Sequence, residues 1–233
     1  MKNIAIILAA GTGSRMGKDC PKQFLRLAGR TVVEHSVDAF EHCDAIDEIV
    51  VVMHPDHLQQ MQQIGEANKW TKLRHILAGG KERYLSSVAA IKACSAYGEC
   101  NMIFHDAARP LVSDRIICDV VEALQTFSAV GVAIPMTDTV FQTDGDTLRS
   151  IPDRRQLQRA QTPQAFRLST IRQAYDIALR DPDFVSTDDC GTVLRYLPNV
   201  SIHIVRGDER NVKLTYKEDI PLIEQMLKEG GLQ

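Results

Sequence analysis

Long apolar runs are missing from this 233-residue chain. None approaches the roughly 20 residues that a membrane-spanning helix requires, so a helical membrane protein is excluded. Cysteine motifs are missing too: Cys20, Cys43, Cys94, Cys100, Cys118 and Cys190 form no CxxC and no His-spaced cluster. They read as reduced, mostly buried thiols of a cytoplasmic protein, not as a disulfide framework or a zinc site. Neither sign of charge is in excess, since 27 Lys and Arg face 30 Asp and Glu for a net charge of −3. That argues against a general nucleic-acid-binding surface but permits a local basic pocket. There is no internal repeat and no low-complexity segment, and the single tryptophan, Trp70, carries no inference.

What is present is an ordinary globular composition, 44% hydrophobic and 24% charged. This is enough apolar surface to build a core and exclude disorder as the main state. The N-terminal run at 4–9 is short and leads directly into glycines, so it predicts a buried strand rather than a signal peptide. Further strands are predicted at 48–53, 75–78, 101–104, 130–135 and 200–205. Helices are predicted at 31–40, 57–68, 85–97, 113–127, 169–179, 187–196 and 216–227, with Ser113 and Thr187 as N-caps. This alternation implies a parallel α/β sheet wound in right-handed crossovers, with ligands beyond the carboxyl ends of the strands. At 139–151 the pattern changes to strand, Asp144-Gly145 turn, strand. Such a hairpin is unstable alone and predicts an arm that packs on something else, plausibly a second subunit.

Two loops carry the polar residues, 10–23 and 105–110. The first, Ala9-Ala10-Gly11-Thr12-Gly13-Ser14-Arg15-Met16-Gly17, is neither GxGxxG nor a P-loop, which disfavours a dinucleotide fold. Its glycines allow close backbone approach to an anion, though a tight strand-to-helix turn also needs them. Arg15 and the following Lys22 bracket it with a fixed fork and a mobile point charge, a pairing suited to a polyphosphate with a metal ion. His105 reads as structural, and Asp188-Asp189 as acids favoured at a helix N-terminus.

Taken together, Leu8-Ala9-Ala10-Gly11 to Gly17, Pro21-Lys22-Gln23-Phe24, Gly79-Gly80-Lys81-Glu82-Arg83 with Ser86, and His105-Asp106-Ala107-Ala108-Arg109-Pro110 form a recognisable set. Asp138-Thr139, Asp153-Arg154, Gln161 to Phe166, Thr187-Asp188-Asp189, and Gly207 with Asn211 to Thr215 continue it in order. The set resembles the cytidylyltransferases that make CDP-linked polyol phosphates, the methylerythritol phosphate and ribitol phosphate enzymes, and it spans residues 3–228. The resemblance implies a three-layer Rossmann-like nucleotidyltransferase fold, mostly parallel, over one domain, 1–233, with residues 137–158 as a protruding dimerisation and substrate arm.

It implies transfer of CMP from CTP to a polyol phosphate with release of pyrophosphate. The acceptor is read as 2-C-methyl-D-erythritol 4-phosphate, for isoprenoid precursors by the non-mevalonate route, with D-ribitol 5-phosphate as the alternative. By resemblance, Arg15, Lys22 and Lys213 are catalytic. Ala9, Ala10, Gly11, Gly80, Lys81 and Ser86 bind the nucleotide, Lys81 standing where the family often has an acidic or small residue. Asp106 and Arg109 meet the acceptor, joined by Thr139 and Arg154 from a neighbouring subunit's arm. Mg²⁺ is expected on the CTP phosphates with no protein ligands, in a cytoplasmic homodimer that binds neither nucleic acid nor membrane.

Overall fold

The computed structural model describes residues 1–11 and 21–230. Seven strands form its central sheet: β1 (Asn3–Ala9), β4 (Glu48–Met53), β5 (Leu73–Ala78), β6 (Asn101–Asp106), β7 (Ala129–Pro135), β10 (Gln158–Arg167) and β11 (His203–Arg206). Their order is β11-β7-β10-β6-β1-β4-β5. All neighbours are parallel except β10, which runs antiparallel to both β6 and β7.

The unbroken apolar reading of β1 follows from burial on both faces. Ala5, Ile7 and Ala9 enter one hydrophobic cluster, while Ile4, Ile6 and Leu8 enter another on the opposite side. The first face is covered by α1 (Val32–Glu41), α2 (Leu58–Asn68) and α4 (Asp114–Thr126). The second is covered by α3 (Arg83–Cys94), α5 (Leu168–Ala178) and α6 (Asp189–Tyr196). A smaller cluster of Leu27, Val32, Leu214 and Ile223 joins α7 (Asp219–Gly230) to a short ribbon, β2 (Arg26–Leu27) and β3 (Arg30–Thr31). The three-layer, mostly parallel architecture is thus the expected one.

Local chemistry fixes several helix starts. Ser113 caps α4 by accepting from the Ile116 N–H, as predicted. Thr31 and Glu34 form a reciprocal capping box on α1. Thr187 is not the cap of α6; Asp188 accepts the Gly191 N–H in that role. The carboxylate one residue on displaces the expected hydroxyl because Asp189 is drawn inward by its own partners, described below.

Two elements differ from the sequence reading. β10 is absent from the sequence reading, which takes residues 161–166 only as part of the family motif; Pro163 within it lacks a donor, which a central strand rarely tolerates. The sheet accommodates it where the pairing of β10 with β7 shifts register between Gln161 and Ala165. The β2–β3 ribbon is equally short of pattern; its turn is made by Ala28 and Gly29, both at positive φ. The expected hairpin is present as β8 (Gln142–Asp144) and β9 (Thr147–Ser150), a separate two-stranded sheet with every residue exposed.

Candidate active site

A cleft of about 270 Å³ opens where the parallel strands end. Ala9, Ala10 and Gly11 leave β1 along one wall, and Gly80, Lys81 and Ser86 form another. Asp106 ends β6 on its floor, with Lys22 and Lys213 on its rim. Gly79 is required by close approach, since a Cβ there would meet Ala10 Cβ at 2.4 Å and Ser86 Oγ at 2.7 Å. The buried Ser86 hydroxyl also accepts the Gly80 N–H at 3.3 Å, fixing the turn that faces the cleft.

The cations converge from distant parts of the chain. Lys22 begins a single 3-10 turn, Lys22–Phe24, and its Nζ donates to the Leu214 carbonyl at 3.4 Å. Lys213 Nζ donates to Asp106 Oδ2 at 2.6 Å. Residues 191 positions apart therefore share one rim. Arg15 lies outside the described residues.

Asp106 is doubly held, because Arg83 Nε also donates to its Oδ1 at 3.0 Å. Burial alone would raise its pKa, but the Arg83 and Lys213 charges override this and hold the carboxyl well below the usual range. It is thus a permanent anion with both oxygens engaged. Arg83 turns its other arm to Asp189, Nη1 to Oδ2 at 2.6 Å. Asp189 is fully buried and also accepts from the Tyr175 hydroxyl at 2.7 Å. Against the lowering effect of burial, the two carboxylates push the Arg83 pKa up. The sequence reading placed Arg83 in a motif but gave it no role, and treated Asp189 as a helix-end acid. Only the separation of these positions in space, not in the chain, reveals their contact.

His105 is fully buried beside this network. Its Nε2 donates to the Arg109 carbonyl at 3.0 Å, and its Nδ1 accepts from Thr162 Oγ1 at 3.1 Å. The Asp106 N–H donates in turn to Thr162 Oγ1 at 3.1 Å. A neutral imidazole fits this ring of partners, and burial lowers its pKa to about 4. His105 therefore braces the loop, as expected. Arg109 spends its guanidinium on the Asn211 carbonyl at 2.7 Å and the Ala160 carbonyl at 3.3 Å, and is not among the residues lining the cleft. Thr139 and Arg154 are exposed on the arm side, outside this chain's cleft, where Arg154 donates to the Thr137 carbonyl at 2.9 Å.

A doubly wound sheet whose strand ends open on glycine turns and converging cations defines a Rossmann-like nucleotidyltransferase. The chain belongs to the 2-C-methyl-D-erythritol 4-phosphate cytidylyltransferase family, whose model matches residues 3–229. It is 46% identical to the enzyme of that name from Thermobifida fusca, over 98% of this chain and 94% of that one. It is 40% identical to the bifunctional ribulose 5-phosphate reductase/CDP-ribitol pyrophosphorylase Bcs1 of Haemophilus influenzae, over 97% of this chain and 48% of that protein. Among solved structures, the 4-diphosphocytidyl-2C-methyl-D-erythritol synthase of Anaerococcus prevotii aligns with a TM-score of 0.85 at 31% identity, covering 97% of this chain and 96% of that one.

Proposed function

We propose that this chain transfers CMP from CTP to 2-C-methyl-D-erythritol 4-phosphate, releasing pyrophosphate. Family membership supports the reaction, and the observation that carries the mechanism is the shared rim of Lys22 and Lys213 above Asp106. The acceptor is already a phosphate anion, so its oxygen needs no general base to attack the α-phosphorus of CTP. A P–O bond to the incoming phosphate forms as the bond to the β-phosphate oxygen breaks, and pyrophosphate carries away the electron pair. The difficulty is bringing two anions together and holding the charge that gathers at phosphorus, which fixed cations and positioning overcome.

In this reading, Ala9, Ala10, Gly11, Gly80, Lys81 and Ser86 seat the nucleotide. Lys22 and Lys213, with Arg15, hold the reacting phosphates, and Asp106 orients Lys213 while Arg109 supports the acceptor side. The cleft suits a Mg²⁺ ion carried by the substrate: both oxygens of Asp106 are paired with cations, so triphosphate oxygens are its natural ligands. Bound there, the ion would neutralise phosphate charge.

The arm supports a homodimer. It exposes Phe141 and Ile151, 60% and 57% accessible, beside Leu148, and a lone two-stranded sheet is not stable in water. Thr139 and Arg154 would then reach the partner's cleft and bind the acceptor phosphate. No helix among the described residues is long and apolar enough to cross a membrane, and we place the enzyme in the cytoplasm.

A second acceptor is kept because of the 40% identity to the CDP-ribitol pyrophosphorylase. Pyrophosphate release with CTP and each polyol phosphate separates the two. Turnover with methylerythritol phosphate at least ~10-fold above ribitol 5-phosphate is expected, and the reverse order would reassign the acceptor.

A further inference from the structure

Cys43, Asp114 and Cys118 meet outside the cleft. Cys43 follows the His42 C-cap of α1, and Asp114 and Cys118 lie one turn apart at the start of α4. The two Sγ atoms are 3.8 Å apart, and Cys118 Sγ lies 3.6 Å from Asp114 Oδ2. A tetrahedral zinc ion with Zn–S of about 2.3 Å and Zn–O of about 2.1 Å needs edges of about 3.8 and 3.6 Å. Cys43 is buried, Cys118 half-buried and Asp114 exposed, so a fourth position faces water.

We propose that Cys43, Asp114 and Cys118 bind one thiophilic divalent cation, with Zn²⁺ the best fit and water completing the tetrahedron. The ligands bind as thiolates, and the cation supplies the charge that makes a thiolate acceptable at the buried Cys43. The site is chemically distinct from the CTP phosphates, because Mg²⁺ selects hard oxygens and Zn²⁺ selects sulfur. Binding releases the two thiol protons to solvent.

The test is metal titration of the reduced, chelator-stripped full-length protein, using Zn²⁺ against a competing chromophoric chelator and Co²⁺ as an optical probe. One equivalent per chain is expected, with sulfur-to-cobalt charge-transfer absorption. Cys118→Ser and Asp114→Asn should each weaken binding at least ~10-fold, and Cys118→Ser should leave nucleotide transfer unchanged. No uptake by the wild type overturns the site, as does uptake that both variants retain. Closure of a Cys43–Cys118 disulfide in place of metal uptake, read as a loss of two hydrogen masses, also overturns it.

A separate observation carries a second inference, which rests on the transfer reaction proposed above. Tyr175, Asp189, Arg83, Asp106 and Lys213 form one unbroken line of hydrogen bonds from the interior to the rim. We infer that Asp189 is a positioning residue: it aims Arg83, which fixes Asp106, which aims Lys213 at the substrate phosphates. Arg83→Gln and Asp189→Asn should each lower kcat/KM for the acceptor at least ~10-fold, and the double variant should fall no further than the worse single one. Tyr175→Phe removes a bond on the far side of Asp189, so it should lower Tm yet leave kcat/KM within ~3-fold. Losses that multiply in the double variant, or a Tyr175→Phe loss equal to that of Asp189→Asn, overturn the relay. Absence of wild-type turnover with every polyol phosphate would instead overturn the transfer reading itself.

Discussion

At the scale of single residues, chemistry here is set by which groups are forced to keep or give up charge. Asp106 keeps its charge against burial because two cations hold it, whereas His105 gives up its charge because burial strips the imidazolium of water and outweighs the carbonyl that would favour it. The second case has a measurable consequence. With a folded pKa near 4 against an ordinary value near 6.5, the unfolded chain takes up the proton first as pH falls. The stability that neutral burial provides is therefore complete above about pH 6.5 and is lost progressively down to about pH 4, amounting to ~3 kcal/mol. His105→Gln should flatten the dependence of denaturation midpoint on pH across that window, while an unchanged slope would assign the pH dependence to other groups. Motif residues such as Gly80 and Ser86 were legible only through the family resemblance, because they stand close together in one stretch of chain that matches its glycine motif. The Arg83–Asp189 pair was not, since 106 positions separate its members and no spacing rule connects them.

At the scale of elements, what the pattern predicts well is what depends on neighbours in sequence. The α4 helix follows from one apolar stripe, Ile116, Ile117, Val120 and Leu124, and one cap. Ser113→Ala should lower unfolding free energy by about 1 kcal/mol, measured by chemical denaturation at equal m-value, with no change in nucleotide transfer. A loss below the noise of that measurement would show that tertiary contacts fix this helix start without the cap. The α6 cap moved from Thr187 to Asp188 for a tertiary reason, because the buried partners of Asp189 set where the chain turns in. β10 escaped notice for a similar reason. Its proline makes a central strand locally unfavourable, yet β6 and β7 provide pairing on both edges.

At the scale of the whole molecule, alternation of strand and helix was enough to give the sheet, and the sheet gives the cleft. Parallel strands bring their carboxyl ends to one side, so loops far apart in sequence deliver Ala10, Gly80, Asp106 and Lys213 to a single rim. The arm escapes this logic because none of the described residues buries its apolar side chains Phe141, Leu148 and Ile151. Replacing Phe141 and Ile151 together by Asp should shift the protein toward monomer in sedimentation velocity and lower turnover at least ~10-fold. Full turnover by a monomer would separate Thr139 and Arg154 from catalysis.

The convergence of Lys22 and Lys213 on one rim makes a demand that steady-state kinetics of Lys22→Ala tests directly. If this ammonium stabilises charge that develops only as the phosphoryl group transfers, kcat should fall ~100-fold or more while KM for CTP changes less than ~3-fold. A rise in KM with kcat preserved would contradict the account and reduce Lys22 to a residue that merely holds the nucleotide.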